Sequence, residues 1–309
     1  MTTSHLKAVP RSLLYVPGDR PEMLAKAPDR GADALIVDLE DAVPAAGKDR
    51  ALELVGDWLD ALGSTRAQAV LPGTEPGPEI WIRVNPGARG REESARLARP
   101  EVTGFCLAKC SGTKEIEAQH RLLTAAEERL RLPAHTFVLA PLLETASAVL
   151  DVHRIARAPR VRHLQLGEAD LCAELGITMP DTADRDSAAA GAALVAIRTN
   201  VLLASAATGL LPPVGPVSTD FTDLDALARS TRTLRGLGYR SRACIHPNQL
   251  GTVNDVFTPT TDEVTAARAL LERFEEAARD GSGVTTGPDG RMVDAAVVRA
   301  ARRVLAVRR

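Results

Sequence analysis

Eight short apolar runs recur along this chain, most of them ending in a charged residue and followed by a segment of helical spacing. No other feature narrows the fold as far. The runs are SLLYVPG, ADALIVD, IWIRVNPG, GFCLAKC, FVLAPLLE, VRHLQLGE, PPVGPVSTDF and SRACIHP. A short apolar run without polar alternation suits a strand buried on both faces, as in a parallel sheet. No hairpin dipeptide joins neighbouring runs, so helical crossovers are expected between parallel strands. The predicted fold is α/β: a (β/α)8 TIM barrel with a C-terminal helical lid extension. Residues 1–280 are assigned to the barrel and 281–309 to the lid. The 309 residues accommodate a barrel of about 250 residues plus an extension.

Between the runs, helices are expected from Pro21, from about Gly47 to Leu62, from Lys114 to Arg131 and over TASAVLDVHRIA. Pro and Gly make Gly63 to Glu79 read as a surface loop. An Ala-rich helix is expected from Asp186 to Gly209, with Arg198 as a packing or salt-bridge residue. Another runs from Asp223 to Leu237 and closes at Gly238. In the tail, a charged helix from Thr261 to Ala278 precedes a Gly-rich stretch that reads as mobile. MVDAAVVRAARRVLAV then resumes a helical pattern.

Composition excludes several partners. A net charge of −2 and only 3% aromatic residues leave no footprint for nucleic acid or an anionic membrane surface. No segment is read as a transmembrane span. MTTSHLKAVPRS lacks the apolar core of a signal peptide, so a cytoplasmic location is expected. Cys106, Cys110, Cys172 and Cys244 form no CxxC pair. They read as reduced core thiols, with a metal role conceivable for Cys106 and Cys110, which share strand parity.

The candidate site residues share one placement. Asp38, Glu40, Arg83, Lys109, Glu144 and Asp170 all fall at or near the C-terminal ends of strand-like runs. That rim carries the active site in barrels of this kind. Glu144 and Asp170 would converge there as a hard-cation site, with water and substrate oxygens completing the shell. Alternatively each caps the helix that follows it. Arg83, inside an apolar strand, needs an anionic partner. That partner is either Asp38 or Glu40 in an internal ion pair, or the carboxylate of a substrate. Lys109 and His246 also read as ordinary rim residues. Asp294 is either an acid in a lid or a helix-start residue favoured by the dipole.

Taken in order, RSLLYVPGDRPEMLAKA, ADALIVDLEDAVP, IWIRVNP, LLETASAVL, LQLGEADLCAELG and IHPNQL resemble the citrate lyase β-subunit and malyl-CoA lyase family. The resemblance spans Arg11 to about Leu305. It implies a Mg²⁺-dependent (β/α)8 barrel, with Mn²⁺ as a substitute, that cleaves or forms a C–C bond next to a coenzyme A thioester. By matching motif, Glu144 and Asp170 resemble the metal ligands and Arg83 the substrate-carboxylate arginine. Asp38 and Glu40 resemble the acidic pair near the metal's waters. Asp294, in RMVDAAVVRAA, resembles the acid/base residue of a lid that crosses to a neighbouring subunit. A homo-oligomer, trimer or hexamer, is implied. The phosphates of CoA would suit Arg20 or Lys26 near the first rim turn, where exposed bases are otherwise simply solvated.

The expected reaction converts a malyl-CoA or citramalyl-CoA type thioester into acetyl-CoA and a 2-oxo acid. Two alternatives remain open: a metal-dependent aldolase that releases pyruvate without CoA, and a citrate lyase β subunit dependent on partner chains. The lid favours the CoA enzyme.

Overall fold

The computed structural model describes residues 9–68, 77–178, 187–279, 284–287, 290 and 292–306. Eight parallel strands close into a barrel in sequence order, β1 through β8, with β8 pairing back onto β1. They are β1 Ser12–Pro17, β2 Ala34–Asp38, β3 Glu79–Val84, β4 Gly104–Leu107, β5 Val138–Leu143, β6 Gln165–Leu166, β7 Val214–Gly215 and β8 Ser241–Cys244. The helices of this unit are α1 Pro21–Lys26, α2 Lys48–Gln68, α3 Gly87–Leu97, α4 Thr113–Leu130, α5 Ala146–Leu150, α6 Val152–Ile155, α7 Glu168–Leu175, α8 Ser187–Thr208, α9 Leu224–Leu237 and α10 Asn248–Phe257.

Strand parity builds the core and then the site. Leu13, Ala34, Ile36, Trp81, Cys106, Ala140, Val214 and Ala243 fill the barrel as one buried cluster. Residues two apart share a face of a strand. Continuing each inward row toward the C-terminal end therefore reaches Tyr15 from Leu13, Asp38 from Ile36, Arg83 from Trp81, and Leu142 and then Glu144 from Ala140.

Several local expectations are corrected. The helix that starts near Gly47 does not stop at Leu62 but continues as α2 to Gln68, because the residues after Gly63 include helix formers that outweigh one glycine. TASAVLDVHRIA is two short helices, α5 and α6, divided at Asp151 (φ −93°, ψ 8°). The sixth and seventh runs shrink to two-residue strands. Pro212, Pro213 and Pro216 around β7 have no N–H to give a ladder, and Val161 makes only an isolated bridge to Leu139. α10 had no counterpart in the sequence reading. Ala190–Thr208 is long and apolar enough, with mean hydropathy 1.5, to cross a bilayer by composition alone, contrary to the reading that no segment approaches one. Leu194, Val195, Ile197, Val201, Leu202 and Leu203 supply most of that apolarity, and within this unit α8 packs beside α5 and α6.

Compactness divides the chain near Asn254. The second unit contains α11 Thr261–Arg279, a two-stranded antiparallel ribbon of β9 Thr285–Thr286 and β10 Met292–Val293, and α12 Ala295–Leu305. α11 packs along α12. The Gly-rich stretch thus frames a ribbon, although residues 280–283, 288–289 and 291 lie outside the described part. α11, assigned to the barrel by sequence, packs with the tail. All four cysteines are buried free thiols.

His163 is buried in the barrel, edge-on to Trp81 with ring centroids 4.7 Å apart. Burial, reinforced by Arg162, pushes its imidazole down to about 3. The unfolded chain takes up this proton below pH 6.5 and the folded chain does not, so protons favour unfolding. Stability is therefore expected to fall as pH drops through this window. His163→Asn should flatten the slope of denaturant-derived stability by up to about 1.4 kcal/mol per pH unit. Identical slopes in variant and parent would remove this assignment.

Candidate active site

Register places the first pair. Asp38 and Arg83 are directly paired residues of β2 and β3. Arg83 Nε donates to Asp38 Oδ1 at 2.7 Å and Nη2 to Oδ2 at 2.5 Å. The remaining nitrogen, Nη1, lies 3.2 Å from Glu40 Oε2 and 4.0 Å from Asp41 Oδ2. Burial opposes the guanidinium's charge, but the bonds to Asp38 outweigh it and keep Arg83 protonated. The internal ion pair considered from sequence is therefore present. Asp38 also accepts the backbone N–H of Glu40 (2.8 Å) and of Ala42 (3.2 Å). All of its acceptor capacity holds the arginine and the turn after β2.

That turn is braced from below. Asn85 Nδ2 donates to Leu39 O and to Glu93 Oε1. Lys48 Nζ donates to Glu40 O and to Asn85 Oδ1. Glu40 is buried, and burial pushes its carboxyl up against the pull of Lys109 and Arg83. Burial also works to raise neighbouring Asp41, but its bond to Glu40 and the two cations outweigh this and hold it low.

β4 ends at Leu107, and Lys109 lies beyond it in the left-handed region, φ +49°. Its ammonium contacts Glu40 Oε1 at 2.5 Å and Asp41 Oδ1 at 3.3 Å. Its backbone N–H donates to Glu144 Oε1. Glu144 therefore does not cap α5. Thr145 does, accepting the Ala148 N–H at 3.2 Å.

Glu144 is buried after β5, and its carboxyl is pushed up to about 7, first by burial and then by the charges of Asp170 and Glu40. Asp170 is exposed in the first turn of α7, rather than at the strand end itself. It has no hydrogen-bond or ion-pair partner among the described residues, so it is not a cap either. The start of α7 is anchored by buried Glu168, which takes a bidentate fork from Arg198 of α8 at 2.6 and 2.7 Å.

These groups open on one cavity of about 430 Å³, within the usual size for a small-ligand site. Asp38, Asp41, Arg83, Glu144 and Asp170 line it, over a floor that includes Tyr15 and Gln165. Two carboxylates that repel each other, one free of any partner, lack a positive charge. Among the described residues no group of three or more His, Cys, Asp or Glu is placed to hold a metal ion by itself. Such a pair suits a hard cation whose remaining positions go to water and substrate oxygens. Cys106 does not line the cavity; it is buried in the barrel core, where burial pushes its thiol up to about 12.

Other predicted residues lie elsewhere. Arg20 precedes α1, 3.7 Å from the Asp19 carboxylate, and Lys26 is exposed at the end of α1. Neither lines the cavity. His246 accepts the Asn248 N–H and stacks on Phe221, with centroids 4.7 Å apart. Asp294 belongs to the second unit, where it N-caps α12. Tyr15, Gln165 and the backbone of Lys109 were missed, and Asp41 was read as one of three carboxylates at the end of the second strand but given no role. Parity from Leu13 would have found Tyr15, and Gln165 is a lone amide within an apolar run.

Residues 11–247 match the family described as HpcH/HpaI aldolase/citrate lyase. A (3S)-malyl-CoA thioesterase of Cereibacter sphaeroides is 32% identical over 96% of this chain and 93% of its own. The mitochondrial citramalyl-CoA lyase of Rattus norvegicus is 27% identical over 98% and 87%. Among solved structures, CitE from Mycobacterium tuberculosis in complex with magnesium, acetoacetate and coenzyme A matches with a TM-score of 0.70. It is 27% identical, over 96% of this chain and 97% of that one.

Gly167 gives a local test of the pair. A Cβ there would lie 2.7 Å from Glu144 Cβ and 2.9 Å from Oε2, while the backbone (φ −94°) suits any residue. Gly167→Ala must therefore displace the carboxylate. It is expected to weaken divalent-cation affinity, read by calorimetry, on the order of tenfold or more, and to lower the thermal midpoint, because the clash with Glu144 Cβ forces a local shift. Unaltered affinity would exclude Glu144 as a ligand.

Proposed function

The chain belongs to the HpcH/HpaI aldolase/citrate lyase family, and from that premise we propose that it is a Mg²⁺-dependent carbon–carbon lyase. It cleaves, or in reverse forms, a 3-hydroxyacyl-CoA thioester of the malyl-CoA or citramalyl-CoA type. The products are acetyl-CoA and a 2-oxo acid. One observation carries the reading: a repelling carboxylate pair, Glu144 and Asp170, shares a cavity with one half-buried guanidinium, Arg83. A 2-oxo or 2-hydroxy acid needs a cation for its chelating oxygens and a charged donor for its carboxylate.

Glu144 and Asp170 would hold the ion, which when bound supplies a Lewis acid and a template for the carboxylate and its neighbouring oxygen. Arg83 binds the same carboxylate through Nη1, the nitrogen that Asp38 leaves unused. Asp38 and Glu40 fix the plane of the guanidinium. In cleavage the substrate hydroxyl loses its proton to water, the C–C bond breaks, and the electron pair moves to the thioester side. Asp294, having taken a proton from solvent water, gives it to that carbon and is left as the carboxylate. Its carboxylate accepts the N–H groups of Ala296 (2.8 Å) and Val297 (3.1 Å), which hold it below the usual carboxylate range. It is therefore an anion at neutral pH, ready to take the acetyl proton in the synthetic direction. By microscopic reversibility it returns that proton in cleavage. Arg20 and Lys26 serve the CoA phosphates.

A second reading, hydrolysis of the same thioester, is favoured by the 32% identical thioesterase. One assay separates the readings. Malyl-CoA and citramalyl-CoA are incubated with the purified chain and Mg²⁺, and acetyl-CoA, free CoA and 2-oxo acid are quantified. Acetyl-CoA and 2-oxo acid in equal amounts, lost with chelator and restored by Mg²⁺, is the expected result. Free CoA with no 2-oxo acid would establish hydrolysis. No turnover without a carrier-protein partner would establish a dependent subunit. Glu144→Gln and Asp170→Asn should each lower turnover on the order of 100-fold or more. Near-parental turnover at limiting Mg²⁺ would remove them as ligands.

The tail is proposed to close over the rim of a neighbouring subunit in a trimer or hexamer, in the cytoplasm. Asp294→Ala should lower thioester-cleavage turnover far more than it weakens Mg²⁺ binding. Mixing Asp294→Ala chains with Glu144→Gln chains, after mass spectrometry has shown subunit exchange, should restore part of the activity. Exchange without recovery would exclude a shared site.

A further inference from the structure

Three carboxylates after β2, Asp38, Glu40 and Asp41, share two cations, Arg83 and Lys109. The sharing is uneven. Asp38 takes the Nε and Nη2 edge of Arg83. Glu40 bridges both cations, with Oε1 at 2.5 Å from Lys109 and Oε2 at 3.2 Å from Arg83 Nη1. The tighter contact is the one to lysine. Lys109 also makes an uncommon backbone choice. It is one of four non-glycine residues with positive φ among the described residues, and such residues are a small minority in proteins. That turn aims its N–H at Glu144 while its side chain reaches Glu40, so one residue touches both halves of the site.

We propose that Lys109 is a positioning residue that keeps Arg83 available to substrate: its ammonium retains Glu40 while an incoming carboxylate takes over Nη1. The proposal rests on Arg83 being the carboxylate clamp. Without the ammonium, Glu40 and Asp41 hold Nη1 with their full charge, and the anionic substrate must displace them. The same loss makes the rim more negative, which does not disfavour a divalent cation. Removing Lys109 therefore moves the two ligands differently. A simple brace would not, since a collapsed rim weakens both.

Lys109→Met keeps the stem and an L-residue backbone. It is expected to raise the KM of the 2-oxo acid in the synthetic direction by about tenfold or more, with kcat within about threefold. Mg²⁺ affinity of the metal-free protein, read by calorimetry, should be equal or tighter. Lys109→Arg should recover most of the KM. In a Glu40→Gln background, Lys109→Met should change KM clearly less than in the parent, because its main partner is already neutral and only the longer contact to Asp41 remains. Unchanged KM in Lys109→Met overturns the proposal. So does a joint loss of Mg²⁺ affinity and KM, which marks a structural brace, and so does full additivity with Glu40→Gln. Arg83→Lys tests the premise. If it leaves KM unchanged, the clamp reading fails. If it raises KM while Lys109→Met does not, the Lys109 inference alone fails.

Discussion

The rim of this barrel is organised around one fork, half-buried Arg83 on buried Asp38. An arginine on the inner face of a parallel strand is tolerated only with a partner in reach, and register supplies it directly across β2 and β3. Removing one member of such a pair costs roughly 3–5 kcal/mol, far more than an exposed ion pair is worth. Everything next to it takes its place from that fork. The oxygens of Asp38 gather the turn after β2, which carries Glu40 to the free side of the guanidinium. Glu40 reaches Lys109 beyond β4, and the backbone of Lys109 reaches Glu144 beyond β5. Groups from four consecutive strand ends are thus linked.

The other half of the cavity has the opposite character. Glu144 and Asp170 raise each other's energy rather than lowering it, and Glu144 is pushed up to about 7. They come from different local structures, a strand end and the first turn of a helix. The helix start is held by the Glu168–Arg198 fork, and Gly167 leaves just the space that the Glu144 side chain occupies. A cavity with a paired cation and anion on one wall and two carboxylates without a cation of their own on the other suits a small anion together with a divalent ion.

Asp294 shows how one position serves two local purposes. Its side chain caps α12, and the same helix N–H groups that it satisfies stabilise its charge. The helix-start reading describes this carboxylate, and its acid/base role belongs to the proposed mechanism alone.

The sequence determined a great deal by itself. Apolar runs and their parity set the eight strands, and the inward rows through Ile36, Trp81 and Ala140 point directly to Asp38, Arg83 and Glu144. These are local consequences of a two-residue period, so they can be read from one strand at a time. Tertiary structure alone decided the remainder. Whether Arg83 met Asp38 depended on register between strands 45 residues apart. Whether Glu144 capped its own helix or took a donor from Lys109 depended on a left-handed turn on the neighbouring strand's connection. α2 ran on past Gly63 where composition suggested a loop, and β6 and β7 shortened to two residues each. The physical reason is common to these cases. A strand's faces follow from its own alternation, whereas the partner of a buried charge is whichever group the closed barrel brings within reach.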